Sequence, residues 1–158
     1  MMRPLLAYKK TLALMMVAAS LALGAAAPPA LSITDLKDLP IVEKAPYNES
    51  ANADAVVADA FARAKKSNKL VMLDLGGNWC PDCIILANVM HLPAMQKFIK
   101  DHYEFASVDV GRFDKNLQVP AKFGYTTRLK GVPTILVATQ DGKLSMTVMF
   151  SRSPTRVT

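Results

Sequence analysis

The chain has 158 residues, of which 51% are hydrophobic, and a formal net charge of +6. Three of those charges, Arg3, Lys9 and Lys10, lie in the first ten residues, and the +3 left after residue 26 is scattered, without the aromatic-basic patch that nucleic-acid binding needs. The two cysteines are separated by only two residues, which excludes a disulfide-stapled scaffold, because so short a loop constrains the unfolded chain very little.

A charged start, an uncharged run from Thr11 to Ala27 and small residues ahead of Pro28-Pro29 follow the order of a secretory signal peptide. Residues 1–26 are expected to be removed after Gly24 or Ala26, leaving a periplasmic or secreted protein. A membrane-anchored form fits less well, because the Ala/Gly-rich end of the run is weakly apolar. Residues 27–50 form an extended lead-in that carries four of the ten prolines, with Leu39 to Val42 expected along an edge of the domain. Residues 51–158 are the folded domain, of a length that buries one core.

Val56, Val57, Ala60, Phe61 and Ala64 recur at helical spacing, Asn52 or Asp54 can cap the start, and Lys65-Lys66 suit the negative end. Leu70 to Leu75 is apolar except at Asp74, which predicts a strand covered on both faces. Gly76-Gly77 breaks it, and Pro81 stands in the first turn of the next helix. That helix, rich in Ile, Leu, Val and Met, has few polar positions and should pack on more than one side. Leu92-Pro93 interrupts it, and Ala94 to Lys100 continues as a second segment.

Glu104 to Val110 alternates as a central strand would, and Gly111 to Lys115 is a polar loop. Asn116 can cap a short helix that holds Pro120 and ends at Gly124. Val132 to Ala138 is a strand with Pro133 at its beginning, and Gln140-Asp-Gly-Lys143 turns the chain into a last strand, Leu144 to Phe150. A parallel start followed by an antiparallel hairpin predicts an α/β fold with a mixed central sheet and flanking helices.

Cys80 and Cys83 fall where strand becomes helix. The unpaired N–H groups and positive dipole end of a helix N-terminus favour an anion, which makes Cys80 the expected nucleophile and Cys83, one turn on and deeper, the resolving thiol. Asp74 is a buried carboxyl in a strand and should have a raised pKa, which suits the acceptor of a proton from the resolving thiol; the plainer alternative is a solvent-facing or turn-capping role. Asp82 between the cysteines opposes a thiolate by about 0.7 kcal/mol at about 6 Å, equivalent to only about 15 mV, too little to set the redox direction.

Trp79-Cys80-Pro81-Asp82-Cys83, Asp74 six residues before Cys80, and Gly131-Val132-Pro133-Thr134 downstream resemble thioredoxin and its exported bacterial relatives, with coverage from about Ala53 to Phe150. The resemblance implies a thioredoxin fold with Pro133 cis and facing the cysteines, Val132 offering backbone hydrogen bonds to a substrate peptide, and Trp79 and Pro81 shaping the contact surface. It also implies protein thiol or disulfide substrates and a redox partner that recycles the pair, for which a membrane reductant is the usual form. Three features depart from the family pattern. Gly76-Gly77-Asn78 replaces an aromatic and small residues, which suggests a looser turn; the segment from Cys83 to Pro133 is longer than in compact members; and Ser151 to Thr158 cannot supply the closing helix, so that helix should be missing or shortened.

The expected activity is an exported thiol-disulfide oxidoreductase, working as a reductase. Two alternatives compete with it. A metal-binding module would need His91 or His102 to join the cysteines, but one Cys-x-x-Cys is half of a tetrahedral site and the histidines lack zinc-finger spacing, so the expected metal set is none, with His91 at a helix end and His102 in a loop. A non-catalytic binding module would hold an inert cysteine pair. No cofactor signature appears, and Arg128 and Lys130 are either steering charges for acidic substrates or solvated ones.

Overall fold

The computed structural model describes residues 27–149. The expected signal peptide and the tail after Phe150 lie outside the described residues. The elements are α1 (Ala53–Ser67), β1 (Leu70–Gly76), α2 (Pro81–Met90), α3 (Pro93–His102), β2 (Tyr103–Asp109), α4 (Gln118–Ala121), β3 (Thr134–Ala138) and β4 (Leu144–Met149), preceded by a 3-10 turn at Leu36–Asp38.

The strands form one sheet in the order β2-β1-β3-β4. β1 pairs with β2 in parallel and with β3 antiparallel, and β3 pairs antiparallel with β4. This is the expected mixed sheet, with one correction. β2 is an outer strand among the described residues, not a central one, because β1 takes the inner place between β2 and β3. Alternation along β2 reports that one face is covered and says nothing about which strands lie beside it.

α1 forms because Asn52 accepts from the Ala55 N–H at 3.0 Å and because Val57, Ala60 and Ala64 make a buried stripe. It ends at Asn68, whose φ of 56° is the left-handed conformation that closes a helix and that asparagine tolerates. Side chains alternate along β1, so Val71, Leu73 and Leu75 share one face and join the core with α1. Met72 and Asp74 take the other face. There Asp74 lines a cleft of about 510 Å³ whose walls include Ala87, Met90, Ile99, Phe105 and Ser107.

The lead-in is fixed to this second face. Val42 and Glu43 donate their N–H groups to Asn88 Oδ1 at 2.8 and 2.9 Å, and Asn88 Nδ2 donates to the carbonyls of Glu43 at 2.7 Å and Ile84 at 2.8 Å. Asn88 is the one polar residue wholly buried in α2, and its amide does for the lead-in what a neighbouring strand would otherwise do. Further along, Pro46 accepts from Ser107 Oγ, and Tyr47 descends beneath β1. On α2 itself only Cys83, Ala87 and Asn88 are fully buried, the other apolar side chains being half-covered.

Two local expectations are also corrected. Asn116 does not cap α4; it has a φ of 52° and its Nδ2 donates to the Asp109 carbonyl, which ties the loop back to β2. His102 is the last residue of α3 and not a loop residue, with its ring 4.7 Å from that of Phe98 one turn earlier.

Candidate active site

β1 delivers the chain to the site and α2 begins there. Cys80 is the N-cap of α2 and Pro81 the first helical residue, a position where the missing N–H costs nothing. The Cys83 N–H points to Cys80 Sγ at 3.2 Å, so the sulfur occupies the capping place that a serine or aspartate oxygen usually fills. Across from it, the Val132–Pro133 peptide is cis, and Cys80 Sγ donates to the Val132 carbonyl at 3.6 Å. Both cysteines are free thiols and both are buried, Cys80 just beneath the exposed Trp79 and Pro81 and Cys83 wholly enclosed.

Trp79 is 40% exposed and forms the lip. Its Nε1 donates to the Gly111 carbonyl at 2.7 Å, Phe113 packs edge-on at 6.1 Å, and the Arg112 guanidinium lies 4.8 Å above its ring. Arg128 sits 4.3 Å over Phe113. It is therefore part of an aromatic-cation stack beside the cysteines, while Lys130 is exposed.

Beneath the cysteines, Asp74 is 1% exposed. Oδ2 accepts from the Tyr47 hydroxyl at 2.9 Å, and Oδ1 has no hydrogen-bond partner among the described residues. Burial pushes its pKa up to about 7 against a partial pull downward from the Tyr47 hydrogen bond. The plainer alternative of a solvent-facing or turn-capping aspartate does not hold. Burial also raises the Cys83 thiol well above its ordinary range, with Cys80 adding to the effect and Tyr47 opposing it.

Sequence reasoning missed Tyr47. Its hydroxyl sits 2.2 Å from where a Gly76 Cβ would be, and Cys83 Sγ lies 2.9 Å from the same point. Gly76 is glycine because the tyrosine and the thiol meet there. Asn78 grips the tyrosine backbone from both sides, accepting from its N–H at 3.0 Å and donating to its carbonyl at 2.9 Å. The turn expected to be loose is therefore tight: Tyr47, from the lead-in, fills the space where a side chain at Gly76 would begin. A glycine closing a buried strand is a signal of close approach, and the lone buried carboxylate two residues before it is a signal that a donor must come from elsewhere.

Of the expected residues, Asp74, Trp79, Cys80, Pro81, Cys83, Val132 and Pro133 gather at this end of the sheet. His91, the C-cap of α2, and His102 are not grouped with the cysteines, and among the described residues no cluster of three or more His, Cys, Asp or Glu side chains is placed to hold a metal ion.

Comparison with known proteins agrees with this geometry. A family model described as thioredoxin-like matches residues 52–139, more than half of the chain. Among solved structures, a disulphide isomerase from Xylella fastidiosa Temecula1 is 35% identical with a TM-score of 0.61, over 65% of this chain and 77% of that one. The C-terminal domain of Neisseria meningitidis DsbD in its oxidised form is 25% identical with a TM-score of 0.49, over 63% and 84% of the two chains. No curated protein sequence matches the chain. With its mixed sheet, its cis proline and its Cys-x-x-Cys pair at a helix start, the chain belongs to the thioredoxin-like family and is a thiol-disulfide oxidoreductase.

Proposed function

We propose that the protein is an exported reductase of protein disulfides in which Cys80 attacks, Cys83 resolves and Asp74 accepts the resolving proton. The observation that carries this reading is the asymmetry of the pair: Cys80 caps α2 between the exposed Trp79 and Pro81 and keeps 5% exposure, whereas Cys83 is wholly buried against Gly76 and Tyr47. Only the outer sulfur can meet a bulky substrate first.

In the forward direction, the Cys80 thiolate attacks one sulfur of a substrate disulfide. A Cys80-substrate disulfide forms, and the other substrate sulfur leaves as a thiolate that takes a proton from solvent. Cys83 then loses its proton toward Asp74 and attacks Cys80 Sγ, so the Cys80–Cys83 disulfide forms and the second substrate thiolate is released. The substrate gains two electrons and the dithiol loses two. Trp79 and Pro81 form the contact surface, and the Val132 carbonyl that accepts from Cys80 Sγ at 3.6 Å lies where an extended substrate backbone would bond next to cis-Pro133.

Two features support the reducing direction. A strongly oxidising pair depends on a strongly stabilised thiolate, and no basic residue stands between the cysteines to supply that stabilisation. The Xylella relative is described as a disulphide isomerase, and isomerisation, like reduction, starts from the dithiol. In an oxidising compartment the pair then requires a reductant partner, for which a membrane protein is the natural source. No helix among the described residues is long and apolar enough to cross a membrane; the charged and apolar order of residues 1–26 supports export and cleavage.

The test is the reduction potential of the Cys80–Cys83 couple together with its redox state in cells. A value near about −270 mV with a dithiol in cells is expected, and one near about −120 mV would identify an oxidant instead. Cys80→Ser should abolish insulin disulfide reduction and Cys83→Ser should trap mixed disulfides. The mass of the exported protein should show cleavage after Gly24 or Ala26.

A further inference from the structure

We infer that Tyr47 is a positioning residue for the resolving half-reaction, its hydroxyl set between the Cys83 thiol and the Asp74 carboxyl so that the proton released by Cys83 reaches Asp74 through it. The inference deepens the reading above and rests on it.

Three contacts single out this tyrosine. Its hydroxyl donates to Asp74 Oδ2 at 2.9 Å. The same hydroxyl and Cys83 Sγ converge on Gly76, within 2.2 and 2.9 Å of the point a Cβ would occupy. Its backbone is clasped on both sides by the Asn78 amide, one residue before Trp79. Residues 74, 76 and 78 thus supply an acceptor, a space and a clasp, and all three serve Tyr47. Ring packing alone would need none of this polar matching.

The groups facing the hydroxyl are few. Asp74 and Cys83 are the titratable ones that act on it, and Gly76 leaves the space in which the hydroxyl and the thiol meet. Burial, then the charge of Asp74, keeps the phenol protonated far above neutral pH. Tyr47 is therefore never a base in its own right. It passes the proton on by accepting from the Cys83 S–H while donating its own O–H proton to Asp74, so no tyrosinate forms and no charge is left on the ring. The Cys83 sulfur then bonds to Cys80 Sγ, and the substrate thiolate departs. Asp74 returns its proton to solvent along the cleft that it lines.

Tyr47→Phe keeps the buried ring and removes only the oxygen. Resolution can be followed by stopped-flow fluorescence of Trp79, the single tryptophan of the chain, after mixing the dithiol with a disulfide-linked peptide. The variant should resolve about tenfold more slowly at pH 7, and the rise of its rate with pH should move upward by about one pH unit. In the unaltered protein, carbon NMR should show the Tyr47 Cζ resonance following the titration of the Asp74 carboxyl.

A Tyr47→Phe profile that superimposes on that of the unaltered protein would overturn the inference while leaving the dithiol chemistry intact. A Tyr47 Cζ resonance silent through the Asp74 titration would do the same, and this measurement decides the matter if Tyr47→Phe does not fold. Failure of the unaltered dithiol to reduce disulfides would instead remove the proposed function, which separates the two claims.

Discussion

At the scale of single residues, Asp74 has the largest consequence. Its ordinary pKa of 3.8 is raised to about 7 by burial. Since the folded value lies above the unfolded one, the bound proton stabilises the native state fully below about pH 4, and that contribution is lost as the pH rises through about 7. Above that point the fold carries a buried carboxylate at a cost of roughly 4 kcal/mol. Asp74→Asn, which keeps an acceptor for Tyr47, should therefore unfold at a higher temperature than the unaltered protein at pH 8, by several degrees, with the gap closing toward pH 4. Thermal unfolding across that range checks this. The same variant should lose most of its resolving rate, as expected where a site accepts a stability cost for its chemistry.

At the scale of elements, the lead-in and α2 form one unit through Asn88. Its side chain makes four hydrogen bonds, two accepted and two donated, in a fully buried place. Asn88→Ala should cost about 3 kcal/mol, on the scale of leaving buried polar groups without partners, and should raise hydrogen exchange at the Val42 and Glu43 amides well before the sheet opens. If those amides exchange at the same rate in both proteins, the lead-in is held by other contacts.

Much of this element order was legible in the sequence, because the signals were local. The unbroken apolar run of β1, the Asn52 cap, Pro81 and Pro93 at helix starts, and the Asp-Gly turn before β4 each carry their own information. What was not legible depended on distant partners. Tyr47 and Asp74 are 27 residues apart, and a tyrosine after a proline in a segment without periodicity shows no sign of where it will be buried. The outer position of β2 was hidden for the same reason. Asn88 could have been noticed, as an amide in the midst of an otherwise apolar helix, but its partners lie 45 and 46 residues earlier.

At the scale of the whole molecule, the site draws on three separated parts of the chain: Tyr47, the stretch from Asp74 to Cys83, and Val132–Pro133. The matched family region begins at residue 52, so it includes the cysteines and the cis proline but not Tyr47. A fragment starting at Ala51 would keep the sheet and lose the hydroxyl beneath Cys83. It should remain able to form mixed disulfides through Cys80 and should resolve them slowly, a pattern that mass spectrometry of trapped intermediates would show.

The meeting of Tyr47 with Gly76 also constrains how the two positions can change over time. One volume is shared between a side chain from the lead-in and the missing side chain of the turn, so neither position is free to vary alone. Gly76→Tyr by itself drives a ring into the place of Tyr47, whose hydroxyl and ring carbon would lie 2.2 and 2.4 Å from the new Cβ. Tyr47→Gly by itself leaves a void the size of an aromatic ring, on the order of 3–5 kcal/mol of lost stability. Together the two changes exchange the ring from one segment to the other, and the double variant should be more stable than either single one. A thermodynamic cycle should return a favourable coupling between the two substitutions. A change at either position alone would then pass through a protein that folds poorly, so that the sequence ahead of the domain and the active-site turn can change only together.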